Sequence, residues 1–251
     1  MVPALSAISD EEQRAAAALV GDLRRVFGVR LQSVVAYGLD SRTPDGPLHT
    51  MALVDRLTFE DLAACAPLVR AWASRQLAVP LLLGRDEFLR SLDTFALEYN
   101  TIVADHVVLD GADPFAGVRI AESDLRRACE RQAKSHLIHL REGFLESGGD
   151  ARAVSGLLAE SLPAFEALLV NIARLEGSGG SGAQANAEAA RAIGLPAALL
   201  DDLLAARAGG TIVEPSALLA RYVSAAERTW RYVDAWHAGD RPPSDPARPS
   251  R

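Results

Sequence analysis

In the first half of the chain, segments with apolar residues at helical spacing alternate with short, nearly continuous apolar runs. Ser9 is a typical capping residue, and the acids and apolar residues that follow it predict a helix reaching Phe27 and ending at Gly28. The Val-rich residues 31–37 and the apolar residues 48–54 predict two buried strands. The residues between them carry turn-forming Pro, Asp and Gly, so we expect a polar loop there.

The same alternation continues through the next sixty or so residues. Residues 58–72 have a Thr cap and apolar positions at helical spacing, which predicts a second helix. The apolar run 79–84 predicts a third buried strand, and residues 86–92 predict a short helix. Residues 107–109 predict an edge strand before an Asp-Gly turn. Alternating strands and helices indicate a compact α/β unit.

From Glu122 onward the pattern is helical throughout, and Gly-rich segments separate five predicted helices. These helices cover residues 123–146, 152–176, 183–193, 196–208 and 215–237. Helices joined by short loops favour an antiparallel bundle. The sequence therefore predicts an α/β domain over 1–118, a helical bundle over 119–238 and a disordered tail over 239–251.

Composition narrows the classes of function. Apolar residues make up 49% of the 251 residues, and the formal net charge is −7. An acidic chain argues against a broad nucleic-acid or anionic-membrane surface. There is neither a leader-like N-terminus nor a long uncharged apolar run, so we expect a cytoplasmic, bacterial protein without a membrane span. Cys65 and Cys129 lie in apolar helical patterns and are predicted to be buried free thiols.

The strand, glycine turn, polar loop and strand over residues 34–54 resemble the active-site segment of the nucleotidyltransferase superfamily. The resemblance is to the minimal, antibiotic-modifying type, in which an α/β domain is commonly followed by a helical bundle. It implies an α+β fold with a small mixed-sheet domain and an all-α bundle domain. It also implies nucleotide contacts by the residues of the turn, Gly38, Leu39, Ser41 and Arg42.

In that family a strand ends in Gly-Ser, and these two residues bind the nucleotide phosphates. An Asp-x-Asp pair on the next strand and a third carboxylate hold two magnesium ions. Two hard cations stabilise the charge that develops during transfer of a nucleotidyl group. Because residues i and i+2 of a strand point the same way, the Asp-x-Asp spacing directs both carboxylates at one site.

Here the layout is kept and the charged residues of the motif are replaced. Gly38 matches the family glycine, but Leu39 stands in place of the serine. His49 and Met51 occupy the positions of the paired aspartates, and residues 79–83 contain no acid. Thioether and imidazole groups are poor ligands for magnesium, which prefers oxygen. The resemblance therefore predicts a degenerate metal site and no cofactor.

Other carboxylates offer an alternative. Asp40 and Asp45 in the loop, with Glu98 further along, are the candidate catalytic residues of a rearranged site that would hold magnesium. Solvated turn residues are the simpler interpretation of both loop acids. Glu98 is flanked by apolar residues, so a buried acid paired with an arginine is the structural interpretation of that residue.

The first bundle helix contains Arg131 and, after four intervening residues, His136. This spacing resembles the motif of helical ribonucleases, but the motif is short, and an exposed polar helix face is the simpler interpretation. His136 and His139 could also bind a transition metal, but the sequence supplies no third ligand. Four aromatic residues near the C-terminal end of the bundle are predicted mainly to pack in the core, with a partner interface as the alternative: Tyr222, Trp230, Tyr232 and Trp236.

Three hypotheses follow. The first is a non-catalytic nucleotidyltransferase-like protein that binds a nucleotide or small molecule, or a protein partner or second copy through the bundle. The second is an active, magnesium-dependent nucleotidyltransferase that transfers a nucleotidyl group to a small molecule or protein. The third is a ribonuclease-like protein acting through Arg131 and His136. The missing carboxylates favour the first, and the acidic charge disfavours the third.

Overall fold

The computed structural model describes residues 7–39, 46–178, 180, 182–210 and 212–237. The chain divides after Ile120 into an N-terminal and a C-terminal compact unit. The tail predicted over 239–251 lies outside the described residues, as do residues 40–45 of the loop that follows Gly38.

The described part of the N-terminal unit contains a four-stranded mixed sheet and five α-helices. The strands are β1 (Leu31–Tyr37), β2 (His49–Val54), β3 (Leu81–Gly84) and β4 (His106–Gly111). The helices are α1 (Asp10–Phe27), α2 (Phe59–Cys65), α3 (Val69–Ala73), α4 (Arg85–Arg90) and α5 (Ala96–Ala104). The strand order is β3-β2-β1-β4, with β1 antiparallel to both neighbours and β2 parallel to β3. The predicted small mixed sheet is confirmed.

The first helix begins where the sequence predicts. The Ser9 hydroxyl accepts a hydrogen bond from the Glu12 amide at 3.3 Å, and the Glu12 carboxylate accepts one from the Ser9 amide at 2.8 Å. This reciprocal capping box satisfies two backbone donors of the first turn. Arg24 and Arg25 in the last turn complement the negative end of the helix dipole.

Apolar side chains cover both faces of the sheet. On one face, Val34 and Ala52 pack against α1 and against Trp72 of α3. On the other face, Val35 and Met51 pack with side chains from α4, α5 and the segment after β4. Strands covered on both faces favour continuous apolar runs over alternation, which explains the pattern of β1 and β2.

Two elements differ from their predictions. The helix predicted over 58–72 is broken into α2, a 3-10 turn and α3, because Pro67 lacks an N–H and fits the start of a new turn. The third strand covers only Leu81–Gly84 and lies at the edge of the sheet. Its Leu81 and Leu82 are half-buried, so this strand is not fully buried as predicted, and Val79 lies outside it at 66% exposure. β4 is the other edge strand, as predicted.

The described part of the C-terminal unit is helical, as the periodicity predicts. Its helices are α6 (Glu122–Glu146), α7 (Ala151–Leu175), α8 (Gly182–Ile193), α9 (Ala197–Arg207) and α10 (Pro215–Asp234). Helix α7 packs against all four others and continues through Pro163. Among the described residues, α7 alone is long and apolar enough to cross a membrane by length and composition. Its Leu158, Leu162 and Phe165 are completely buried in the bundle.

Both cysteines are buried free thiols, as predicted. Burial raises the pKa of Cys129 to about 12. Burial also raises the pKa of Cys65, and the nearby Asp61 carboxylate adds to that effect. A thiol that stays protonated at neutral pH is a poor nucleophile, so both cysteines act as small apolar core residues.

Candidate functional site

Three ring-bearing side chains align across the sheet where β1 ends. Tyr37 of β1 is in register with His49 of β2 on one side and with His106 of β4 on the other. Directly opposed residues of antiparallel strands share one face, so the three side chains form a row. We call this row, together with Gly38 and Asp113, the strand-end site. It occupies the position where the nucleotidyltransferase resemblance places the metal and phosphate contacts.

Exposure changes along this row. His49 is exposed, and its ring centroid lies 5.8 Å from that of Tyr37. Tyr37 is half-buried, and burial raises the pKa of its hydroxyl. His106 is buried, with 4% of its surface exposed. The row therefore presents one imidazole to solvent and holds the other in the protein interior.

His106 is fixed by contacts on three sides. Its Nδ1 lies 3.0 Å from the Val103 carbonyl oxygen, and its ring meets Phe115 edge-on, with centroids 4.6 Å apart. Its Nε2 lies 3.3 Å from Asp113 Oδ1, but this contact is not aligned as a hydrogen bond. Asp113 Oδ1 accepts a hydrogen bond from the Phe115 amide at 2.9 Å, which orients the carboxylate. The sequence does not indicate His106 and Asp113 as site residues, because only the register of β4 against β1 brings them to the site.

The residue at the second metal position faces an apolar core. Met51 is 1% exposed and belongs to the cluster under the sheet that includes Phe88, Tyr99 and Phe115. Phe88 and Tyr99 meet edge to face, with centroids 5.0 Å apart. The side chain of Met51 thus points into packed aromatic residues, and His49 alone of the two degenerate positions is open to solvent.

The glycine turn that follows β1 is held by the backbone. Gly38 has a φ of +69°, which favours glycine, and its amide donates to the Asp105 carbonyl oxygen at 3.1 Å. Leu39 is half-buried and packs against the core on the α1 side of the sheet. The other predicted nucleotide contacts, Ser41 and Arg42, lie outside the described residues, as do the candidate acids Asp40 and Asp45.

The third candidate acid does not have the environment that its sequence predicts. Glu98 lies on α5 between residues of the core, but its own side chain is exposed. The predicted buried ion pair is therefore wrong, because the helix turns this carboxylate towards solvent. Its immediate neighbour Tyr99 takes the buried position instead, at 5% exposure.

The donor atoms of the described strand-end site do not fit a pair of magnesium ions. Magnesium takes oxygen ligands in octahedral geometry, usually from carboxylates. In the part of the chain that the structure describes, no group of three or more His, Cys, Asp or Glu side chains is arranged to hold a metal ion. Imidazole, phenol and one carboxylate at this strand end favour hydrogen bonding and ring contacts instead.

The ribonuclease-like pair in the bundle is not brought together. Arg131 is exposed, whereas His136 is 6% exposed and faces α7 and α10. His136 Nε2 lies 2.8 Å from the Tyr222 hydroxyl, and its ring stacks on Phe165 at 5.3 Å. Burial, with a smaller contribution from His139, lowers the pKa of His136 to about 4. The exposed polar face predicted for His136 is therefore wrong, and so is a shared centre with Arg131.

The four aromatic residues divide between two roles. Tyr222 is completely buried, and Trp236 is 7% exposed. Tyr232 and Trp236 both donate hydrogen bonds of 2.6 Å to Glu176 Oε1, which ties the end of α10 to the end of α7. Core packing is confirmed for Tyr222 and Trp236, and Tyr232 is half-buried. Trp230 is half-buried and borders a surface groove.

Comparison with known proteins supports the fold. No protein-family model matches the chain, and no curated protein sequence matches it. Among solved structures, the chain is similar to the crystal structure of spectinomycin adenyltransferase AAD(9) from Enterococcus faecialis with ATP and spectinomycin. The TM-score is 0.52 at 12% identity, over 90% of this chain and 100% of that chain. At that identity, the likeness shows a nucleotidyltransferase-like fold.

Proposed function

We propose that the chain is a nucleotidyltransferase-like protein that binds a ligand without two-metal catalysis. On this proposal the strand-end site accepts a nucleotide or another small molecule through ring stacking and hydrogen bonds. The protein works in the cytoplasm and needs no metal cofactor.

The observation that carries the proposal is the environment of Met51. In the two-metal arrangement this position supplies a carboxylate that bridges cations. Here the side chain is 1% exposed in a cluster with Phe88, Tyr99 and Phe115. Seating a hydrated dication at this position would require moving charge into an apolar, close-packed region, which costs several kcal/mol. The surroundings of the second metal position thus favour packing over ion binding.

The strand-end site offers other means of binding. The exposed His49 ring and the Tyr37 ring have centroids 5.8 Å apart and planes tilted by 38°, so each offers a ring face against which a planar group could stack. The Tyr37 hydroxyl can both donate and accept a hydrogen bond. The structurally similar adenyltransferase was crystallised with ATP and spectinomycin, which makes a nucleotide or small-molecule ligand the first to test.

Calorimetric titration of ATP into the full chain, in magnesium and then in EDTA, tests the proposal. We expect the same affinity, or the same absence of binding, in both buffers, and no transfer of labelled AMP to spectinomycin or to the chain itself. If ATP binds, His49→Ala should weaken it, whereas Glu98→Gln, which alters an exposed acid on α5, should not. Magnesium-dependent binding together with AMP transfer would show an active enzyme and refute the proposal.

A further inference from the structure

A cavity lies on the surface of the C-terminal unit, along one face of α6. It has a volume of about 770 Å³, within the usual range for small-molecule sites. We call it the α6 groove, and its lining residues used below are Arg127, Glu130, Arg131, Lys134, Ile138, Glu142 and Trp230. All its lining residues belong to the C-terminal unit, whereas the residues of the strand-end site belong to the N-terminal unit.

Some charged side chains of the groove form ion pairs with described residues, and others do not. Arg127 forms an ion pair with Asp124, and Glu130 forms one with Arg126 at 3.0 Å. Arg131 is exposed and makes no ion pair with any described residue. Residues i and i+3 of a helix share one face, so Arg131 and Lys134 present two cations side by side. Two adjacent cations without carboxylate partners are suited to a phosphate group.

One of these cations is held in place by an aromatic ring. Lys134 Nζ lies 3.7 Å from the centroid of the Trp230 ring, a close cation–π contact. Because the contact already orders the Lys134 side chain, ligand binding costs less side-chain entropy. Ammonium N–H groups that do not face the ring can donate hydrogen bonds to a ligand. Lys134 is also the only lysine in a chain whose other basic residues are arginines. Lys134 is therefore the one side chain of the chain that offers a compact ammonium group with three donors instead of a planar guanidinium.

We propose that the α6 groove binds a phosphorylated small molecule that carries a planar ring. Arg131 and Lys134 contact the phosphate, and the ring lies along the apolar part of the groove beside Ile138, which is 41% exposed. Glu142 lines the same groove, and the chain has a net charge of −7, so a long polyanion is disfavoured relative to a small ligand. His136 takes no part in this site, because its side chain is buried in the bundle core and hydrogen-bonded to the Tyr222 hydroxyl.

Phenyl phosphate is the probe, with inorganic phosphate and phenol as its two halves. Binding is followed in the full chain by ¹⁵N–¹H NMR through the indole signal of Trp230, assigned with Trp230→Phe. We expect phenyl phosphate to shift this signal and to bind about tenfold more tightly than phosphate, while phenol alone leaves it unchanged. Arg131→Gln and Lys134→Gln should each weaken binding about tenfold, the low end for a lost charge-assisted hydrogen bond.

Arg141→Gln is the matched control, since it removes an exposed arginine from the same helix outside the α6 groove. It should leave the affinity for phenyl phosphate unchanged. Unaltered indole signals of Trp72 and Trp236 show that each variant is folded. No shift of the Trp230 signal, equal weakening in Arg141→Gln, or tighter binding of a short single-stranded RNA through the same residues would overturn the proposal.

Discussion

The buried His136 of the bundle makes the free energy of unfolding depend on pH. His136 is 6% exposed, shares a 2.8 Å hydrogen bond with the Tyr222 hydroxyl and stacks on Phe165. Burial lowers the pKa of His136 to about 4 from an ordinary value of 6.5. The folded bundle therefore keeps this imidazole neutral at a pH where the unfolded chain protonates it.

The sign of the effect follows from proton uptake. Above about pH 6.5 both states are neutral at this residue, and it contributes no pH dependence. As pH falls below 6.5, the unfolded state binds the proton first, so the free energy of unfolding decreases. Each unit of pKa is worth about 1.4 kcal/mol, so about 2 kcal/mol is lost by pH 5 and about 3 kcal/mol by pH 4. Below the folded pKa of about 4, the loss becomes constant.

Urea unfolding of the wild type and of His136→Gln, at several pH values from 7 to 5, measures this contribution. The indole NMR signals of Trp230 and Trp236 report on the C-terminal unit. We expect the stability difference between the two proteins to change by about 2 kcal/mol over that range, in the direction that favours the variant at low pH. His139→Gln, on the exposed side of the same helix, should follow the wild type. A stability difference that stays constant with pH would refute the reasoning.

Two further predictions concern the N-terminal unit. Gly111→Ala should lower the free energy of unfolding in urea by at least about 3 kcal/mol, and Gly117→Ala by only about 1–2 kcal/mol. Both glycines have φ +79°, but a Cβ at position 111 would lie 2.1 Å from the Gln32 carbonyl oxygen. Equal losses of stability in the two variants would contradict this. The Arg30 guanidinium holds the pKa of the Asp61 carboxyl near 2, so Asp61→Asn should destabilise the unit by about 1–3 kcal/mol in thermal unfolding at neutral pH. The stabilisation from this pair should persist above about pH 4 and disappear as pH falls through 2, and a variant equally destabilised at all pH values would contradict it.

The helices and central strands could be predicted from the sequence because local rules determine them. The capping box at Ser9 and the Val-rich run of β1 are consistent with their tertiary surroundings. The burial of the strand in residues 79–84 is harder to predict, because an apolar run does not reveal whether a strand has neighbouring strands on one side or on both. The proline at 67 signals the break between α2 and α3, but the longer apolar periodicity concealed it.

The candidate site could be predicted only in part. The sequence identifies His49 and Met51 by their distance from Gly38, because that spacing is local. His106 and Asp113 lie more than fifty residues away along the chain and reach the site through the pairing of β1 with β4. No local pattern encodes that register.

For His136 and Glu98, the neighbouring residues in the sequence predict the wrong exposure. Polar neighbours predict an exposed His136, and apolar neighbours predict a buried Glu98, yet the structure reverses both. For α6 the cause is packing on two sides, against α7 and α10, which buries a wider face than one apolar stripe predicts. For Glu98, one turn of α5 places the apolar neighbours against the sheet and the carboxylate in solvent.

The central claim is that the strand-end site does not seat a pair of divalent cations. Manganese binding, followed by electron paramagnetic resonance with and without ATP, tests this most directly, because Mn²⁺ replaces Mg²⁺ at oxygen sites and its signal changes on binding. The account predicts that the full chain binds no more Mn²⁺ than ATP alone does. Two Mn²⁺ ions per chain, lost in the double variant Asp40→Asn and Asp45→Asn, would contradict the account and establish the rearranged metal site.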